Sequence, residues 1–519
     1  MSHQPSSSQN SSQWTKRPDG VDYTVSSSEL RQFAKDYPPA QFSSAQEDVP
    51  SVETNAEVIG DSYFRAYCPG LNLNIPIPLH PELDTSGFYC QLSYILGACK
   101  AFRHGKDLEE LQEPDLNSDH LARGAMVPKI RQALAKGQPV LVRQCSTRFD
   151  GVPIQIESET FCRLTLSKES PVEAQDMLGF PRIVHTTFGG FWDHMFNPRE
   201  ILNLLDMNCH LREGRPGYMA GIFDDGASTR TVSSMIPVEV GDLVRYHQWM
   251  LFGHPFAHTY AHNDTAGLAT YVTVVEGRKL WFILKWTVEV ITPEMWHYRW
   301  KHLGQHETLV LEYSRRPPWV VGRGREMRID QAKLEKCHGE WETFRVAEWV
   351  CADLEPGTTL IMPPCTVHWV FKPKMSLATG GQGIITDCLP LTEIGCRMDS
   401  LSSDTTNDIH ASMPLVHDAI ALGLPENPSD AISQGWSRTQ LASLVRMVLQ
   451  PNLYRQEVVR SDADKRYNKI PGGKLEKNAK KRMEDYRKAL NVSLPTTGTW
   501  YNNLEDVPVD VFEWATFRL

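Results

Sequence analysis

Between about residues 180 and 390 the chain is cut by Gly, Pro and Asp into short runs of β-branched and aromatic residues, and this pattern narrows its folding choices more than any other feature. Tyr218 to Phe223, Leu268 to Val275, Lys279 to Leu284, Thr308 to Tyr313 and Thr358 to Met362 each read as a strand. Many short strands between turn signals must pair and stack, so a sandwich or barrel is expected. The second and third of these runs are separated by Glu276, Gly277 and Arg278 and read as a hairpin about Glu276 and Gly277 that sets Lys279 near Val274. A strand alternates its faces, so Lys279, Trp281 and Ile283 share one side while Leu280 and Phe282 share the other. Both sides are apolar, which predicts burial on both. A lysine in such a strand is costly unless it meets an anion.

The rest of the chain is organised around that region. Residues 1–57 are rich in Ser, Gln, Pro and acidic groups and are expected to be a disordered tail. Residues 58–179 form a helical and strand lead-in, in which Val127, Ile130 and Leu134 recur at helical spacing before the strand-like Val140 to Val142. The barrel occupies 180–399, with an insertion at about 286–343 that carries Trp, His, Arg and Pro without periodicity. Residues 400–519 are expected to be mainly helical, from Leu441, Leu444, Val445 and Val448 to a Lys-rich stretch at 465–488 read as a solvated helix. The expected class is mainly β with added helices.

Two short segments carry the chemistry. His262 and Asp264 stand two apart in an extended stretch and so present an imidazole and a carboxylate to one side. The run from Pro356 through the buried Leu360, Ile361 and Met362 to a proline turn delivers His368 at the start of the next strand. Two histidines and one carboxylate with open positions suit non-haem iron(II) that must also bind a cosubstrate and oxygen. HxD alone is a weak signal in a chain with 18 histidines; the buried Lys279 and the strand-borne His368 strengthen it. His254, His258 and His262 are spaced four apart, but Pro255 and the missing glutamate argue against a helical zinc site, so His254 and His258 are read as structural. His297, His302, His306 and His338 in the insertion stay open as alternative ligands.

The stretch HNDTAGLATYVTVVEGRKLWFI from His262 to Ile283, followed by EPGTTLIMPPCTVHWVF and SLATGG, resembles the JmjC (Jumonji C) domains common in fungal proteins. The resemblance implies a double-stranded β-helix, a jelly-roll or cupin-like barrel, that binds Fe(II), the cosubstrate 2-oxoglutarate and O2. It places His262, Asp264 and His368 as metal ligands, Lys279 as the lysine that pairs with the cosubstrate carboxylate, and Thr259 as a hydroxyl sharing that carboxylate. No catalytic residue beyond the metal ligands is implied. Val272 stands ten places after the first histidine, where relatives often carry a polar residue.

The expected activity is oxygenation of a protein or peptide substrate, with histone N-methyl-lysine demethylation as the family-level form. The alternatives are an inactive JmjC scaffold in chromatin-associated assemblies and a cupin-like metalloenzyme acting on a small acid. A net charge of −10 disfavours a generic nucleic-acid binder and is ordinary for a soluble protein. The 11 cysteines include no CxxC pair, which argues against a zinc ribbon or disulfide scaffold. Neither a secretory signal nor an apolar run of about 18 residues is present, so an intracellular location, nuclear or cytoplasmic, is expected.

Overall fold

The computed structural model describes residues 56–59, 63–78, 99–105, 107–112, 120–143, 148–149, 152–153, 169–177, 182–194, 200–208, 217–224, 249–264, 267–286, 320–321, 328–329, 347–401, 413–454 and 473–494. The strands that frame the centre of the molecule are β1 (Lys100–Ala101), β2 (Glu109–Gln112), β3 (Val140–Arg143), β4 (Pro171–Asp176) and β5 (Arg182–Thr187). They continue with β6 (Leu202–Asn208), β7 (Trp249–Gly253), β8 (His258–His262), β9 (Ala269–Gly277) and β10 (Lys279–Trp286). The last four are β11 (Ala347–Leu354), β12 (Thr359–Met362), β13 (His368–Phe371) and β14 (Ser376–Gly383).

A nine-stranded sheet has the order β5-β4-β6-β7-β14-β9-β12-β3-β2, and a five-stranded sheet the order β8-β13-β10-β11-β1. Pairing is antiparallel except for β2 with β3 and β11 with β1. From β7 to β10, and again from β11 to β14, successive strands alternate between the two sheets. The sheets face one another across a single apolar layer. Trp249, Leu251, Val272, Val274, Leu360 and Ala378 of the larger sheet pack there with Trp281, Ile283, Val350, Leu354 and Val370 of the smaller. The fold is therefore mixed, with large antiparallel sheets and seven helices among the described residues, and the strands do not close into one barrel.

Two local expectations are corrected. β9 and β10 do not form a hairpin: β9 lies between β14 and β12, while β10 lies between β13 and β11, and Lys279 stands opposite Leu354 rather than beside Val274. Gly277 makes the change of sheet, with φ +80°, and a side chain there would come within 1.8 Å of the Met375 carbonyl oxygen. Two strands apolar on both faces gain more burial as interior members of separate sheets than as a pair with free edges. Tyr218 to Phe223 is not a strand but centres on a 3-10 turn, Gly217–Gly221. Its apolar residues 218, 219, 222 and 223 follow a helical period, and they pack against Met126, Ile130 and Leu134 of α1 (His120–Ala135).

Beyond α2 (Phe188–Asp193), which covers the outer face of the larger sheet near Phe252, the remaining helices lie at the C-terminal side of the chain. They are α3 (Leu389–Leu401), α4 (Met413–Gly423), α5 (Pro428–Ser433), α6 (Arg438–Leu449) and α7 (Gly473–Leu490). As expected from Leu441, Leu444, Val445 and Val448, α6 buries this stripe, and α7 adds Leu475, Ala479, Met483 and Tyr486 to the same core. Short sheets complete the described parts: Ala56–Ile59 with Tyr63–Cys68 and Leu73–Pro78, Arg148–Phe149 with Val152–Pro153, and Val320–Val321 with Arg328–Ile329. Most of the expected insertion, its four histidines, the Thr308 to Tyr313 strand and residues 1–55 lie outside the described residues. No described helix is long and apolar enough to cross a membrane.

Candidate metal centre

The smaller sheet gathers the donors. His262 ends β8 and pairs directly with His368, the first residue of β13, which in turn faces Ile283 of β10. The register of β8 slips by one residue between Thr259 and His262. An extra residue of this kind re-aims the side chains beyond it. Thr259 pairs with Val370, on the face of β13 that looks into the layer between the sheets, and the slip turns His262 to that same face. In an unbroken strand, residues three apart would point to opposite sides.

His262, Asp264 and His368 each offer one ligand atom, and these atoms lie within 4.8 Å of one another. The Nε2 of His262 is 3.9 Å from Asp264 Oδ1, and the two imidazoles have centroids 4.3 Å apart. Both histidines are buried while Asp264 is half-buried, so the group opens toward one side. His368 Nδ1 donates to the Thr366 carbonyl at 2.9 Å, which leaves its Nε2 lone pair for a metal. The Trp281 ring stacks on His368 at 5.1 Å and walls the site on its apolar side. Two imidazole nitrogens and a carboxylate oxygen at this spacing are compatible with a bound divalent metal.

Of the other expected residues, Lys279 is fully buried, and its Nζ has no hydrogen-bond partner. Burial, and then the neighbouring charge of Lys372, hold its pKa well below the ordinary lysine value. Thr259 is half-buried, in the row between the ligands and Lys279. Val272 is buried in the apolar layer and has no side-chain hydrogen bond to offer. His254 is held between the carbonyls of Glu200 and Phe191, at 3.0 and 3.2 Å, and His258 packs near Trp369 with centroids 6.1 Å apart, as structural histidines would.

The supports of the two ligand loops carry no motif and were not legible in the sequence. Asn263 Nδ2 donates to Asp399 Oδ1 at 3.1 Å, Thr392 Oγ1 donates to the Gly267 carbonyl at 2.8 Å, and Cys365 Sγ donates to the Leu391 carbonyl at 2.9 Å. All three partners stand on α3, which thereby braces the loop after His262 and the loop before His368. That helix is fixed in turn by Glu393, which accepts from Arg446 Nε at 2.7 Å, from Arg446 Nη2 at 2.6 Å and from Tyr454 Oη at 2.7 Å, all buried. Comparison with known protein families and with curated proteins matches this chain to none.

Proposed function

We propose that this chain is an iron(II)- and 2-oxoglutarate-dependent oxygenase of the JmjC type that acts on a protein or peptide. The observation that carries the reading is the buried, unpartnered Lys279 amine on the same inner face as His262 and His368, with which Asp264 converges. Isolated buried charge is strongly unfavourable, and a ketoacid that chelates the metal and ends in a second carboxylate would relieve it. Lys279 lies four residues from Ile283, which faces His368, a span of about 13 Å along the strand. A lysine side chain and a five-carbon dicarboxylate together cover such a span. The alternation of strands between two sheets supports a double-stranded β-helix as the frame.

In this reading His262, Asp264 and His368 hold the iron, and the Thr366 carbonyl keeps the His368 ring in the ligating tautomer. Lys279 and Thr259 orient the ketoacid by its far carboxylate, and Trp281 keeps water from the ligand side. Iron, 2-oxoglutarate and O2 together supply the oxidation, one oxygen atom leaving in succinate with CO2 and the other entering a substrate C–H bond. On an N-methyl lysine, as on a histone tail, the hydroxylated methyl group is lost as formaldehyde; on a side-chain carbon the hydroxyl stays. The test is anaerobic titration of the purified chain with iron(II) and 2-oxoglutarate, followed by succinate release with methylated and unmethylated peptides. Both ligands should bind and one peptide should couple. His262→Ala should abolish turnover, whereas a wild-type chain that takes up no metal would favour the inactive scaffold.

A further inference from the structure

A second lysine shares the interior with Lys279. Continuing the register of β10 with β13 one step beyond Leu280 and Phe371 places Lys372 opposite Lys279, on the same inward face. The backbone of Lys372 is fixed by bonds with Phe256 and Ala257, and its side chain is 1% exposed. It crosses to the larger sheet, where Nζ donates to Asn203 Oδ1 at 2.5 Å. Gly253, opposite Asn203 in β7, makes room: a Cβ there would lie 2.3 Å from Lys372 Cδ. The charge of Lys372 disfavours that of Lys279.

The unpartnered polar atoms around this pair can all donate. Asn203 Nδ2 and Ser376 Oγ are buried without hydrogen-bond partners, as is Lys279 Nζ, and Ser376 pairs with Gly253 and Gly277 in the strands beside them. An amide, a hydroxyl and two ammoniums all have protons to give, while no carboxylate among the described residues is bonded to either lysine. Buried donors in such number call for a ligand rich in acceptors. Both lysines lie one strand-length from the row of His368 and Ile283, at equal steps along β13 and β10.

We propose that Lys372, positioned by Asn203, is a second ammonium of the cosubstrate pocket and that Lys279 and Lys372 together receive the remote carboxylate. This rests on the oxygenase reading and extends it by assigning how the far end of the ketoacid is selected. The site therefore discriminates strongly between a ketodicarboxylate and the ketomonocarboxylate that lacks only its far carboxylate.

The test uses the full chain loaded with manganese(II), with calorimetric affinities for 2-oxoglutarate and for 2-oxobutyrate, which keeps the ketoacid but lacks the far carboxylate. Lys372→Met should weaken 2-oxoglutarate by roughly tenfold or more, leave 2-oxobutyrate and manganese affinity within about twofold, and raise the stability of the ligand-free chain. Asn203→Asp, which gives Lys372 an internal carboxylate without a change of shape, should likewise weaken 2-oxoglutarate and stabilise the ligand-free fold. An unchanged preference for 2-oxoglutarate over 2-oxobutyrate in both variants would overturn the role of Lys372 while leaving the oxygenase reading intact. Failure of the manganese-loaded wild type to bind 2-oxoglutarate would overturn both.

Discussion

Replacing Lys279 by Met should make the ligand-free protein more stable and the ligand-bound protein less so. The side chain is fully buried, its Nζ has no partner, and the charge of nearby Lys372 bears on it. Methionine has similar length and no nitrogen, and the exchange removes a buried unsatisfied donor whose cost is about 1–3 kcal/mol. The sign with pH follows from the depressed pKa of the folded lysine. Between that value and 10.5 the unfolded chain holds one proton more than the folded one, so wild-type stability rises with pH at up to about 1.4 kcal/mol per unit for each such lysine. Urea unfolding at pH 8.0 and pH 9.5 reads this slope, and Lys279→Met should remove up to about 2 kcal/mol of the gain over that interval. With manganese(II) and 2-oxoglutarate at a hundredfold excess over its dissociation constant, wild type should gain about 2.7 kcal/mol, and the variant little of it. A ligand-free variant less stable than wild type at pH 8.0, with the slope intact, would show that Lys279 is satisfied within the fold and would refute the reasoning.

Three further outcomes follow from the same contacts. Glu393→Ala leaves Arg446 charged, buried and without its carboxylate, and should lower stability by roughly 3–5 kcal/mol in urea unfolding. Asp399→Ala removes the acceptor of Asn263 Nδ2 beside the metal donors and should weaken manganese(II) affinity about tenfold or more by calorimetry, with the global unfolding midpoint changed far less. His417 on α4 is buried, and burial lowers its pKa to about 4, so the folded chain resists protonation where the unfolded one, at 6.5, accepts it. Stability should therefore fall as pH drops below 6.5 by up to about 1.4 kcal/mol per unit from this residue, and His417→Leu should flatten that part of the acid profile.

The sequence made the strands and the donors legible where a short period or a rigid motif sets them. The alternation through Lys279, Trp281 and Ile283 gave the inward face correctly, because burial on both sides leaves the pleat no other choice. The two-residue spacing of His262 and Asp264 and the strand start at His368 likewise survived into the structure. What failed was partner choice. Glu276 and Gly277 look like a hairpin turn, yet pairing depends on which distant strands offer backbone and apolar surface, and β14, β12, β13 and β11 won. The slip in β8 was invisible for the same reason, since a bulge is a property of two strands rather than one. Lys372 escaped notice because its burial is imposed by Asn203 and Gly253, more than a hundred residues away in the chain.

The C-terminal helices are part of how the metal donors are held. Asp264 sits on a loop and His368 directly follows one, and loops alone do not hold ligand atoms within a fraction of an ångström. α3 supplies the rigidity by bonding both loops at once, through Asp399, Thr392 and the Leu391 carbonyl. Its own position is set by the Glu393, Arg446 and Tyr454 cluster, which ties it to α6 and so to the core that α4 and α7 complete. A disturbance in that core should thus reach the three donors through a short chain of buried bonds. The apolar packing between the two sheets, which shares none of these bonds, would keep the lysine pair in place. In the proposed reading, changes around Glu393 should act first on metal affinity and through it on the chelating cosubstrate, whereas changes around Lys372 should weaken the cosubstrate and leave metal affinity in place.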